Sequence, residues 1–256
     1  MRVAITQPTY LPWLGYFDLM DQVDTLVLLD NVQFEKQSWQ QRNRIKTPTG
    51  FQWLTVPVMF RGRLEQKIQA VEIRDAEFWR KHLRAIELNY RRAPFFKNYF
   101  PALSANFEES GAGTSLVDLN HRLMKWLAEV LGIGTCVLRA STLGEEGKRT
   151  QLLANICKNL GADCYLSPIG SAGYLLPEIS ILSACSVETV FHNYQHPHYK
   201  QMFPPFLAYA SVIDLLFNEG DRAMEIIRSG RNIPLTPDEV AAATPVEATQ
   251  AEAAQA

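Results

Sequence analysis

Three of the five histidines fall in one run, HNYQHPHYKQ, at His192, His196 and His198. An imidazole changes charge near neutral pH and is the side chain most often used to move a proton in catalysis. Pro197 biases His196 toward an extended backbone, and in an extended run His196 and His198 project to the same side. Two imidazoles begin a metal site without completing it. No HExxH or nearby carboxylate–histidine spacing supplies the remaining ligands, so no metal is expected. Bracketed by Gln195 and by Tyr199 as a substrate contact, His196 is the candidate acid or base, with a packed structural histidine as the competing reading.

The other reactive types cluster where apolar runs stop. Residues 3–6 end at Gln7, and TYLPWLGYF then supplies Tyr10, Trp13 and Tyr16. Such rings can simply be core. Their clustering around Gln7 also suits a pocket floor that stacks on a base or sugar. A second apolar run, 25–29, ends in Asp30, Asn31 and Gln33; Asp30 is a candidate proton acceptor. The segment 36–46 then reads as a polar, basic loop. Arg42, Arg44 and Lys46 lie there with Trp39 and Asn43 among them, which suits a nucleotide or nucleotide-sugar diphosphate better than a polymer.

Two further stretches are weaker signals. LGEEGKRTQLL lacks the GxxxxGK[ST] phosphate-loop pattern, but it puts Lys148 at a helix start, where a cation opposes the helix dipole. Lys148 is thus a candidate for steadying an oxyanion. YLSPIGSAGYL offers Ser167 and small residues at a strand end, where backbone N–H groups could meet an anion. The cysteines show no CxxC spacing and no sign of thiolate activation.

The elements that must position these residues follow from periodicity. Short apolar runs at 3–6, 25–29, 135–139, 164–167 and 187–194 alternate with helical patterns, which predicts an α/β fold: a mostly parallel sheet in Rossmann-like layers with flanking helices. Ligand sites in such sheets gather at the carboxyl ends of the strands. Residues 52–58 and 68–73 read as further strands. Residues 75–132 read as a helical insertion with a break near Pro94, and 174–184 as one helix. A single domain over 1–230 is expected. From 231 to 256 large apolar side chains almost vanish, which predicts an unordered tail.

Composition narrows the classes. The 256 residues carry a formal net charge of -2 and 47% hydrophobic residues, an ordinary globular profile. No global basic field favours a nucleic acid polymer, and no apolar run approaches the roughly 20 residues of a membrane span. No secretory leader is visible, so a cytoplasmic location is expected. Oligomeric state is left open.

QPTYLPWLGYFDLMDQVDTLVLLDNVQF, SWQQRNRIKTPTG, EGKRTQLLANICKNLGADCYLSPIGS and YQHPHYKQ, in that order, closely resemble the WbqC-like family over residues 2–228. The resemblance implies a role in bacterial surface polysaccharide (O-antigen) biosynthesis: an acyl or aminoacyl (glycyl) transferase forming an amide on a nucleotide-linked amino sugar. Its alternative is a non-catalytic nucleotide-sugar-binding accessory protein. A fainter resemblance in layout is to adenylate-forming nucleotidyltransferases, pantothenate synthetases included. There an HxGH motif would stand where Trp13 and Tyr16 lie here. Those histidines are missing and no motif supports ATP, so no cofactor is evident.

Overall fold

A computed structural model describes residues 1–63, 65–109 and 114–243. In chain order it contains β1 (Arg2–Thr6), α1 (Leu14–Asp21), β2 (Thr25–Leu28), β3 (Arg42–Thr47), β4 (Gly50–Thr55), α2 (Phe78–Tyr90), α3 (Phe96–Glu108) and α4 (Leu116–Leu131). Then follow β5 (Cys136–Arg139), α5 (Ala140–Leu143), α6 (Arg149–Leu160), β6 (Cys164–Ser167), α7 (Ala172–Leu175), α8 (Ser180–Ala184), β7 (Glu188–Phe191), α9 (Val212–Glu219), α10 (Ala223–Ser229) and α11 (Pro237–Ala242).

Five strands form one parallel sheet in the order β5-β2-β1-β6-β7. Their apolar runs are nearly continuous because helices cover both faces. Ala4, Leu26, Leu28 and Leu166 pack toward α1 and the inserted helices. Val3, Ile5, Val27, Tyr165 and Phe191 pack toward α6 and α8 on the other side. The chain winds outward from β1 through β2 to β5, then returns across α6 to β6 on the opposite side of β1. Strand order therefore reverses between β1 and β6, and a crevice opens at their carboxyl ends.

The insertion lies between β2 and β5. Its helices end where the sequence says they should: Ser115 caps α4 by accepting from Asp118 N, and Gly132 closes it in the left-handed conformation. Before these helices, β3 and β4 pair as an antiparallel hairpin. The expectation of a basic loop over 36–46 is corrected here, since Arg42 onward is strand. The inward residues of β3 are Asn43 and Ile45, and a polar inward residue disguised the alternation. Asn43 is satisfied in the core by donating to the Tyr10 and Leu11 carbonyls at 3.1 and 2.7 Å.

Three other expectations change. Residues 68–73 form no strand; Ile68–Ala70 is a single 3-10 turn flanked by short bridging pairs. The helix expected over 174–184 is broken, with Pro177, which lacks an N–H, in a 3-10 turn between α7 and α8. Residues 231–243 are ordered: Leu235 exchanges backbone hydrogen bonds with Phe191, and Thr236 with Glu239 makes a capping box for α11. The rest of the expected tail, 244–256, lies outside the described residues.

The insertion is fastened to the opening turn through His82 on α2. Its Nε2 reaches the Thr55 carbonyl at 3.2 Å, an acceptor, so Nε2 carries the proton and Nδ1 accepts from the Tyr10 hydroxyl at 2.7 Å. Burial pushes His82 down to about 4 from an ordinary 6.5, and His196 likewise. The unfolded chain then binds more protons than the fold between those values. Stability is present above pH 6.5 and is lost as pH falls toward 4, by up to about 1.4 kcal/mol per unit for each group. Urea midpoints measured from pH 7 to pH 5 should fall steadily, and replacing His196 with Phe should make the fall shallower.

Candidate active site

At the reversal point lies a cleft of about 370 Å³. Thr6 and Gln7 reach it from the end of β1, Trp13, Gly15 and Tyr16 from the start of α1, Pro168–Ser171 from the end of β6, and His192 from the end of β7. Tyr165, Tyr174, Tyr194, Tyr209 and Trp39 complete an aromatic lining. No Lys, Arg, Asp or Glu lines it among the described residues.

One wall depends on Gly15. The Trp13 indole folds back over the first turn of α1, and a Cβ on Gly15 would stand 2.2 Å from the Trp13 Cη2 atom. So placed, the indole meets Tyr194 edge-on at 5.6 Å, tilts against Tyr209 at 5.3 Å, and stacks on His196 at 6.1 Å and 11°. On the floor, Tyr16 accepts from Thr6 at 3.1 Å. Gln7 is held by Gln40, which donates to its Oε1 at 2.8 Å.

The cleft's imidazole is that of His192. Its Nε2 meets the Oδ2 of Asp18, on α1, at 2.7 Å. Asp18 is wholly buried. Its Oδ1 accepts from Arg231 Nε at 2.8 Å, and Gln22 donates to Oδ2 at 2.7 Å. Surrounded by donors, the carboxylate accepts from His192 Nε2, and Nδ1 is the ring nitrogen not engaged by Asp18. Among the described residues no hydrogen bond to Nδ1 is present. Asp18 orients the ring and would stabilise the imidazolium once a proton arrives, which is the arrangement of a general base.

A second, more polar cavity of about 410 Å³ adjoins the first, lined by residues 35–40 and sharing Gln7, Thr9 and Trp39 with it. Glu35 and Lys36 add the charges that the inner cleft lacks.

Of the residues nominated from sequence, the cleft gathers Gln7, Trp13, Tyr16 and Trp39. The others lie elsewhere. His196 sits behind Trp13 with Nδ1 on the Pro197 carbonyl at 2.9 Å, and burial holds it neutral. Asp30 is wholly buried and takes bonds from Arg139 Nε and from the backbone and hydroxyl of Ser141, at 2.7, 2.8 and 2.8 Å. That set ties β2 to β5 and leaves Asp30 no exposed surface for substrate. Lys148 precedes α6 and is exposed, outside the cleft lining. Tyr10 and Asn43 are core.

Lys46 is buried and bonds the Pro205 carbonyl. Tyr199 donates to Asp214 at 2.7 Å, also in the interior. Ser167 is buried behind the cleft wall, bonded to Ser171. Gln33 lies in a bridging pair with Lys67, and Arg42 and Arg44 lie on the hairpin.

Sequence reading missed Asp18, His192, Tyr194 and Tyr209. Two signals were present. Asp18 is the one charge within the otherwise apolar LGYFDLM, and a lone carboxylate on a buried helix face demands a partner. His192 follows the apolar run directly, where a strand ends.

A model of the WbqC-like protein family matches residues 7–226. The uncharacterized protein Rv1507c of Mycobacterium tuberculosis is 36% identical over 228 residues, covering 89% of this chain and 97% of that protein. No solved structure matches. No described helix is long and apolar enough to cross a membrane.

Nitrogen NMR of labelled protein should show a proton on His192 Nε2 hydrogen-bonded to Asp18, and Asp18→Asn should shift that resonance. A second outcome concerns the wall. Gly15→Ala must displace the Trp13 ring, so it should alter near-ultraviolet dichroism and lower stability by about 1–3 kcal/mol, read from denaturant midpoints.

Proposed function

This chain belongs to the WbqC-like protein family, and from that premise we propose that it transfers an acyl or aminoacyl group, glycyl included, to the amine of an amino sugar in bacterial surface polysaccharide biosynthesis. The observation that carries the reading is the Asp18–His192 pair, set in an aromatic cleft that no Lys, Arg, Asp or Glu lines among the described residues. Aromatic faces suit the C–H face of a sugar ring, and the few polar groups around them, Thr6, Gln7, Thr9 and Ser171, suit its hydroxyls.

The chemistry requires one proton acceptor. A neutral sugar amine attacks the carbonyl carbon of an activated carboxyl; a C–N bond forms and the carbonyl oxygen gains negative charge. The amine's surplus proton passes to Nδ1 of His192, and the imidazolium is balanced by Asp18. As the intermediate collapses, the bond to the leaving group breaks and His192 returns the proton to that group. An amide and the free leaving group result. His192 takes the role that sequence reading assigned to His196 and Asp30, because it touches the cleft and they do not.

The purified protein should convert an amino sugar, free or nucleotide-linked, to an amide when given an acyl thioester, or an amino acid with ATP; mass spectrometry reads the product. His192→Ala should lower turnover by about 10²–10⁴ while leaving sugar binding intact. His196→Phe should keep most of the activity. Equal turnover by His192→Ala and the unaltered protein would remove His192 from the chemistry, and no amide from any donor would remove the reading itself.

A further inference from the structure

From Lys36 to Arg63 the chain carries Lys36, Arg42, Arg44, Lys46, Arg61 and Arg63 and no Asp or Glu, within a protein whose net charge is -2. The fold sorts these cations. Lys46 turns inward to the Pro205 carbonyl, Arg63 pairs with Glu72, and Lys36 covers Phe60. Arg61 is exposed in the turn after β4, and Arg42 and Arg44 lie on the outer face of the β3–β4 hairpin, with Trp53 beside them in register. Among the described residues no ion pair involves Arg42.

That face is built of rings and guanidinium groups. Arg42 lies over Trp53 at 4.3 Å. Arg44 lies within reach of Phe51, Trp39 and Trp53 at 4.5, 5.3 and 5.5 Å. Trp53 keeps 39% of its surface exposed, although burial is worth more to an indole than to almost any other side chain. Half-burial also pushes Arg44 below its ordinary range, a cost borne by a cation held against apolar rings. A guanidinium lying on an aromatic face keeps its N–H edge for a bidentate anion. Trp39 joins this face to the cleft: its ring is 5.5 Å from that of Trp53, and it lines both cavities.

We infer that the outer face of the hairpin is a docking subsite for a nucleoside diphosphate, with Arg42 and Arg44 on the phosphates and the base on Trp53. A sugar attached to that diphosphate would reach the cleft past Trp39. This division explains how an uncharged cleft serves a charged substrate: the anion never enters it. The inference deepens the acyl-transfer reading by assigning its substrate's handle, but it rests on binding alone. A nucleotide is favoured over a bare anion because two indoles flank the arginines, offering ring faces that inorganic phosphate cannot use.

Titration calorimetry with UDP, ADP, inorganic pyrophosphate and uridine tests it on the full chain. The diphosphates should bind, more weakly as salt rises, and uridine should bind poorly. Arg42→Gln with Arg44→Gln should weaken UDP or ADP by about tenfold or more. Should the pair misfold by circular dichroism, half-exposed Arg42→Gln alone carries the same expectation at smaller size. Trp53→Leu should weaken nucleotide and spare pyrophosphate.

No binding by either nucleotide, or an unchanged affinity in the arginine variants, would overturn the subsite. Pyrophosphate binding as tightly as UDP, with both indifferent to Trp53→Leu, would overturn its nucleotide character. Acylation of an amino sugar lacking any phosphate, without diphosphate binding, would sink this inference and leave the acyl-transfer reading standing.

Discussion

A carboxylate without exposed surface must be surrounded by donors, and Asp18 draws three distant parts of the chain together to meet that demand. It sits on α1, takes Arg231 from beyond α10 on one oxygen, and takes His192 from the end of β7 on the other. Removing one partner would leave a buried charge uncompensated, which typically costs about 3–5 kcal/mol. Neighbouring Asp21 reinforces the arrangement through Arg228 and Arg231, and those guanidinium bonds hold its carboxyl below the ordinary range against the opposing effect of burial. Gly230 makes the approach feasible, since a Cβ there would lie 2.2 Å from the Gln195 carbonyl. The floor of the cleft and the position of its imidazole both depend on this cluster.

The same economy of charge shapes the cleft. Carboxylates and guanidinium groups near it pair with one another beneath the floor, and the lining among the described residues is of rings, aliphatic side chains, hydroxyls, the Gln7 amide and one histidine. Trp13 can line it because Gly15 leaves room for the indole, and His196 serves as the ring on which that indole rests. Positive charge is kept outside, on a two-stranded hairpin whose arginines lie on indoles. An uncharged interior beside a cationic porch is a consequence of topology. The sheet reverses at β1, the inserted hairpin lies next to that reversal, and Trp39 connects them.

Much of the scaffold is legible in the chain. Continuous apolar runs bounded by helical periodicity yield the parallel strands, because strands covered on both faces cannot alternate. Gly132 and Gly161 end α4 and α6 in the left-handed conformation that glycine adopts freely. The hairpin's second strand was read, but β3 escaped because its inward positions include Asn43, whose amide is satisfied by two carbonyls of the opening turn. The ordered stretch 231–243 escaped for a related reason. Arg231 is polar, and what orders it is a carboxylate more than two hundred residues earlier.

Composition and local pattern determined the α/β class, the carboxyl edge of the sheet as the place where a cleft opens, and four of the rings and amides that line it. They also named His196, within HNYQHPHYKQ, and Asp30 as candidate bases. Only the tertiary structure decided which histidine of that run lines the aromatic cleft and which supports its wall from behind. His192 follows β7 directly and His196 lies four residues on, but neither position by itself says what its ring packs against. The separation is made by Asp18 and Trp13, one binding a ring nitrogen and the other stacking on a ring face, and both come from the opposite end of the chain. A side chain's protonation and orientation are set by what packs against it, and packing is a property of the folded chain.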